Sequence, residues 1–229
     1  MSWVALPRFL IAWALVLMMS LVCAILSFLM PPHRAWLLCG QRCCRGVLWL
    51  LGIDARLVGA GLPDRSVLYI ANHQSFLDPL ILISLLPAST KWVAKAEVGR
   101  ILLIGRAFST AGLYIDRSDR ESSVSALKQG LESLPDNWSA AVFPEGTRSP
   151  DGTLQDFRHG AAIMATHSHL PIVPLRISAA PGILPRKVWA TQPGRVDVVV
   201  GQPISTSDWR ESEIPVRTKQ LHAAVAGLR

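Results

Sequence analysis

From Phe9 to Met30 the chain runs for 22 residues without one charged side chain, and Pro31-Pro32 closes the run. As a helix, such a segment is long enough to cross a hydrocarbon core of about 30 Å. Its length, and the lack of a small-residue cleavage site behind it, argue against a removable secretory signal. The segment is expected to anchor the chain in a membrane. It also explains why a 229-residue protein that is half apolar has a positive mean hydropathy.

A second helical stretch, Ala35 to Ile53, carries Trp36, Val47, Leu48, Trp49 and Leu51, but Arg42 and Arg45 interrupt it. Charge at the bilayer centre is costly, so this helix is expected at the interface, with tryptophan anchors and a basic side. Arg34, Arg42, Arg45 and Arg56 follow the first helix, whereas Arg8 stands alone before it. By that asymmetry the rest of the chain lies in the cytoplasm, whether the first helix spans or dips into one leaflet. All four cysteines (Cys23, Cys39, Cys43 and Cys44) fall in this region. That excludes a disulfide framework and a cysteine nucleophile in the remainder, and they read as small apolar residues. The net charge of +7 suits anionic lipid surfaces or anionic substrates. With no Lys/Arg-rich run or reading module, nucleic acid is not an expected partner.

Beyond residue 60, strand-like runs alternate with amphipathic ones. Strands are expected at Ser66 to Ala71, Lys91 to Ala94, Gly112 to Ile115, Ser139 to Phe143, Ile172 to Ile177 and Arg195 to Gly201. Helices are expected at Pro79 to Leu86, Asp119 to Leu134, Phe157 to Ser168 and Val216 to Ala226. The alternation predicts an α/β fold: a mixed, largely parallel sheet flanked by helices, preceded by a hydrophobic two-helix membrane segment. The expected division is 1–56 for membrane anchoring and 57–229 for a catalytic domain.

Open α/β sheets place their sites in the loops after the strands. Directly after the first strand of the domain comes Asn72-His73-Gln74-Ser75-Phe76-Leu77-Asp78. Neutral His73 can accept a proton near pH 7, and Asp78 can fix its tautomer and stabilise the cation. The plainer alternative is that Asp78, followed by Pro79, only caps a helix. After the fourth strand, Phe143 to Ser149 reads F-P-E-G-T-R-S. Gly146 permits a tight turn, Glu145 can accept from a hydroxyl, and Arg148 offers a fork for phosphate. An ordinary surface turn with a local ion pair has the same composition. Asp116-Arg117 and Lys95 follow the third and second strands.

Taken together, these segments resemble the 1-acylglycerol-3-phosphate acyltransferase family of glycerolipid acyltransferases. Asn72 to Asp78 matches the pattern N-H-x-S-x-x-D; Gly112 to Arg117, Phe143 to Ser149 and Leu170 to Leu175 are similar to three further motifs, in the right order. Weaker echoes are Val93 to Glu97, Phe157 to Ala161 and Gly201 to Ile204. The resemblance implies a membrane-bound enzyme on the cytoplasmic side of the cell inner membrane. Such an enzyme moves a fatty acyl group from acyl-CoA or acyl-acyl carrier protein to the sn-2 hydroxyl of 1-acyl-sn-glycerol 3-phosphate, giving phosphatidic acid for phospholipid synthesis. It implies His73 and Asp78 as the catalytic pair. Arg117 and Arg148 would hold the acceptor's phosphate with help from Lys95, and Glu145, Gly146 and Thr147 would complete the acceptor site. No metal and no cofactor beyond the thioester co-substrate is implied.

Arg158 departs from the family's usual lysine, and the stretch after Glu97 lacks a common proline. The rival readings are acylation of another lysolipid such as lyso-ornithine lipid, transfer to water, or an inactive membrane scaffold. The absence of a G-x-S-x-G elbow speaks against the hydrolase. His167 and His169 do not share a helix face, so a helix C-terminal role is expected rather than metal. Trp92 and Trp138 are expected in packing, and Trp189 at a membrane contact. Pro171 and Pro174 suggest an edge strand or a bulge.

Overall fold

The computed structural model describes residues 5–30, 32–100, 112–115, 120–179, 182–184 and 191–229. Helix α1 (Ala5–Leu29) packs lengthwise on α2 (Pro32–Leu51), with Cys23, Ala35 and Cys39 buried between them. Proline suits the start of α2, where the first N–H has no intrahelical partner. The outer face of α1 stays bare: Leu10, Leu17, Leu21, Ile25, Phe28 and Leu29 are all exposed. Leu10–Leu29 is the one stretch among the described residues long and apolar enough to cross a membrane.

The other side of α2 does not face outward. Trp36, Cys44, Val47, Leu48 and Leu51 share one apolar core with Val67, Tyr69, Leu77, Ile81 and Val173. Of the two expected tryptophan anchors, Trp36 is therefore buried and only Trp49 is exposed. The basic side also has an internal use. Arg45 Nε donates to the Ser84 carbonyl at 3.0 Å, and Gln41 Nε2 to the Leu86 carbonyl at 2.8 Å. Those carbonyls lie at the end of α3 (Asp78–Leu85), where a helix has no partners of its own for them.

The sheet has seven strands: β1 (Ile53–Gly59), β2 (Leu68–Ala71), β3 (Thr90–Lys95), β4 (Gly112–Ile115), β5 (Ser139–Val142), β6 (Ile172–Ala179) and β7 (Gly194–Val200). Their order is β1-β7-β6-β2-β5-β3-β4. Strands β6, β2, β5, β3 and β4 run parallel, β7 pairs antiparallel to β6, and β1 follows β7. The expected mixed, largely parallel sheet is present. Helices α2 and α3 cover one face. The short α4 (Ala96–Gly99) follows β3. The other face is covered by α5 (Arg120–Glu132), α6 (Gly160–Ser168) and α7 (Ile214–Ala226). Strand β2 shows why its residues are uniformly apolar: Tyr69 and Ala71 enter one core, Leu68 and Ile70 the other, as a strand covered on both faces requires.

Two expectations are corrected. Strand β1 has no counterpart among the expected strands, and the second helix stops short of Ile53: Gly52, at φ +72°, ends α2, the αL terminator that glycine serves best. Strand β6 lies inside the sheet between β2 and β7 and not at an edge, while the bulge alternative fits: the register slips by one residue between Ile172 opposite Ile204 and Leu175 opposite Val200. It tolerates Pro174 because its antiparallel ladder with β7 begins only at Leu175.

Candidate active site

Strands β2 and β5 are adjacent and parallel, with Ile70 beside Val142, so the loops that leave them emerge side by side. Asn72 leaves β2 first. It is buried, and its amide donates to the Ile177 carbonyl at 3.1 Å while accepting the Ile177 N–H at 2.7 Å. That double bond to β6 fixes the direction in which His73 departs.

His73 Nδ1 lies 2.9 Å from Asp78 Oδ2. The same oxygen accepts the N–H groups of Gln74 at 2.6 Å and Ser75 at 2.7 Å. Asp78 is fully buried and opens α3, yet its carboxylate serves the loop upstream rather than the helix it starts. The helix-cap alternative is therefore not what these contacts show. With a carboxylate accepting, Nδ1 carries the proton and Nε2 keeps its lone pair. The imidazole stacks on Phe143, centroids 4.2 Å apart at 20°, and 17% of the side chain remains exposed. Carboxylate and stacked ring restrain both tilt and rotation of the imidazole.

The β5 loop also grips the backbone of His73. Glu145 Oε1 accepts the His73 N–H at 2.6 Å, and the Ser149 N–H donates to the His73 carbonyl at 2.8 Å. The second oxygen of Glu145 accepts the Gln155 N–H at 3.1 Å. Burial pushes the Glu145 carboxyl up to about 7; the two N–H donors oppose that rise and the nearby Asp78 charge adds to it. Glu145, expected in the acceptor site, is thus occupied on both oxygens by backbone. Gly146 turns the chain at φ +72°, and a Cβ there would stand 2.9 Å from Arg158 Cδ and Nε. Thr147 is exposed. Arg148 is half-buried, its guanidinium carbon 3.5 Å over the centre of the Phe76 ring. Lys95 ends β3, on the edge toward which β2 and β5 point; its side chain, and Arg117 and Trp189 entirely, lie outside the described residues.

Beside Phe143 opens a cavity of about 450 Å³, lined by Val93, Ile115, Leu127, Val142 and Ile163 together with Arg158 and His159. Sequence reading missed it because apolar residues on five separate elements signal only core. Asn72, Phe76, Phe143 and Ser149 stood within motifs, but their roles rest on contacts across the sheet, such as the 105-residue separation of Asn72 and Ile177. His167 pairs with Glu132 at 3.0 Å. His169 is the left-handed residue, at φ +53°, that ends α6. Trp92 is buried in the core.

Comparison with known proteins places this geometry. Residues 57–178 match the model of the family described as Acyltransferase. A protein named 1-acyl-sn-glycerol-3-phosphate acyltransferase from Limnanthes alba is 34% identical over 178 residues, 77% of this chain and 63% of the relative. One of the same name from Saccharomyces cerevisiae is 33% identical over 202 residues, 85% of this chain and 65% of its own. Another, from Helicobacter pylori, is 36% identical over 137 residues, 59% of this chain and 57% of the relative. The chain thus spans just under two thirds of the plant and yeast relatives. The crystal structure of the 1-acyl-sn-glycerophosphate (LPA) acyltransferase PlsC from Thermotoga maritima superposes with a TM-score of 0.78. It is 23% identical, covering 98% of this chain and 92% of that one; at that identity the match speaks to the fold.

Proposed function

The chain belongs to the acyltransferase family, and from that premise we propose that it transfers a fatty acyl group to the sn-2 hydroxyl of 1-acyl-sn-glycerol 3-phosphate. The observation that carries this reading is the His73–Asp78 pair, 2.9 Å apart, with Nε2 of the imidazole left to act. That nitrogen takes the proton of the acceptor hydroxyl as its oxygen attacks the carbonyl of the acyl thioester. Asp78 stabilises the imidazolium that forms. The tetrahedral intermediate collapses, the carbon–sulfur bond breaks, and the imidazolium returns its proton to the leaving thiolate. One ester forms, one thioester is lost, and His73 ends neutral. Transfer is direct: the four cysteines lie in the N-terminal helices, and the sequence holds no G-x-S-x-G elbow, so no acyl-enzyme is invoked.

Arg148 supports a phosphate-bearing acceptor, since a guanidinium matches two phosphate oxygens at once; Arg117 and Lys95 are assigned to the same headgroup. The apolar cavity next to Phe143 offers a place for an acyl chain. Acyl-CoA or acyl-acyl carrier protein is the donor, and the bare face of α1 holds the enzyme at the inner membrane with the site on the cytoplasmic side. The test is transfer of labelled acyl-CoA, and then acyl-acyl carrier protein, to a panel of lysolipids by the purified protein. Phosphatidic acid from lysophosphatidic acid supports the reading. Product from a phosphate-free acceptor alone would keep the chemistry and overturn the substrate.

A further inference from the structure

The two loops that build the site meet a second time, away from the His73 peptide. Phe76, in the loop between His73 and Asp78, is 52% exposed and belongs to neither apolar core. Its ring lies under the Arg148 guanidinium carbon at 3.5 Å from the ring centre, a distance at which two flat groups touch face to face. A guanidinium stacked this way uses its face; the bidentate recognition of oxyanions uses its in-plane edge. The attraction of a cation to the ring's π face adds to simple contact. Arginine otherwise loses much rotamer freedom when it orders on an anion, and a side chain ordered beforehand loses less.

We propose that Phe76 is a positioning residue that holds the Arg148 fork for the phosphate of the acceptor, and so favours phosphate-bearing lysolipids over neutral ones. The inference rests on the reading above that Arg148 binds the acceptor's headgroup. The competing role for an exposed phenylalanine is contact with the lipid surface, as on the bare face of α1.

The experiment is initial-rate kinetics of the full-length protein with lysophosphatidic acid and the acyl thioester it uses, for wild type, Phe76→Ala, Phe76→Leu and Phe76→Trp. Sedimentation of each variant with phospholipid vesicles is run alongside. Phe76→Ala and Phe76→Leu are expected to raise KM for lysophosphatidic acid about two- to fivefold, the size of an exposed cation–π contact. KM for the thioester and kcat should stay close to wild type. Phe76→Trp should restore the acceptor KM, and vesicle binding should not change. A Phe76→Leu protein indistinguishable from wild type would overturn the proposal, since leucine keeps the bulk and loses only the π face. So would equal rises in both KM values, or losses that track weakened vesicle binding. A wild-type protein that turns over other lysolipids but not lysophosphatidic acid would instead refute the substrate reading, and the role assigned to the stack with it.

Discussion

Replacing Glu145 with glutamine separates two effects that the structure combines in one side chain. The carboxyl is buried, 3% exposed, and titrates near 7 instead of the ordinary 4.5. Native protein therefore binds a proton that the unfolded chain has released, between those two values. Stability contributed by this group is complete below about 4.5 and is lost as pH rises through 7, by about 3 kcal/mol at 1.36 kcal/mol per pH unit. Glutamine does not titrate. Its amide oxygen can replace one acceptor, but its NH2 must then face the other peptide N–H, at a pH-independent cost of about 1–3 kcal/mol. The expected result is a crossing pattern in urea unfolding of the detergent-solubilised protein. Glu145→Gln should be the less stable at pH 5 and should gain about 3 kcal/mol on wild type by pH 8. Activity should not follow stability. With one of the His73 and Gln155 N–H groups left without its acceptor, the base shifts, and displacements of about 1 Å cost up to about 100-fold in rate. A stability difference that stays constant from pH 5 to pH 8 would refute the titration. Unchanged kcat would refute the claim that Glu145 holds His73 in place.

Three further outcomes are expected. Asp78→Asn can keep its three acceptor contacts through Oδ1 yet loses the negative charge beneath the imidazolium, so kcat should fall about 10²- to 10⁴-fold with the melting temperature little changed; a larger thermal than kinetic effect would make Asp78 a structural residue. Arg148→Ala should raise KM for lysophosphatidic acid more than for the thioester, and steady-state kinetics with each substrate varied would show the reverse order if Arg148 serves the donor. Gly146→Ala meets both a positive φ and the Arg158 side chain at 2.9 Å, which should cost about 1–3 kcal/mol in denaturant unfolding; a neutral substitution would mean that the turn rearranges freely.

The sequence made the sheet legible where strands are buried on both faces, because Leu68-Tyr69-Ile70-Ala71 and Ser139-Ala140-Ala141-Val142 are short apolar runs that end at polar turn signals. It failed at β1, whose Ile-Asp-Ala-Arg-Leu-Val-Gly pattern lies at the sheet edge beside β7 and follows a helix without a loop; Gly52 was the available stop signal. It left Pro174 between an edge strand and a bulge, since a proline is excluded from a strand only where its missing N–H would face a partner, and register is not written in local sequence. At the site, residue types and order pointed to His73, Asp78 and Arg148. Their chemistry is local: a base, a carboxylate five residues on, a fork beside a glycine turn. The position of Glu145 relative to His73 was not legible. It depends on β2 and β5 becoming neighbours, which is decided by the packing of the whole sheet, and that juxtaposition sets the two Glu145 oxygens on the N–H groups of His73 and Gln155.

The most direct test is kcat of purified His73→Ala, measured at saturating lysophosphatidic acid and thioester, with near-ultraviolet circular dichroism to establish that the fold is retained. If Nε2 of His73 takes the acceptor's proton, turnover falls at least about 100-fold in a protein that remains folded. Turnover within a few-fold of wild type would contradict direct, base-assisted transfer at this site and leave the His73–Asp78 pair without its assigned chemistry.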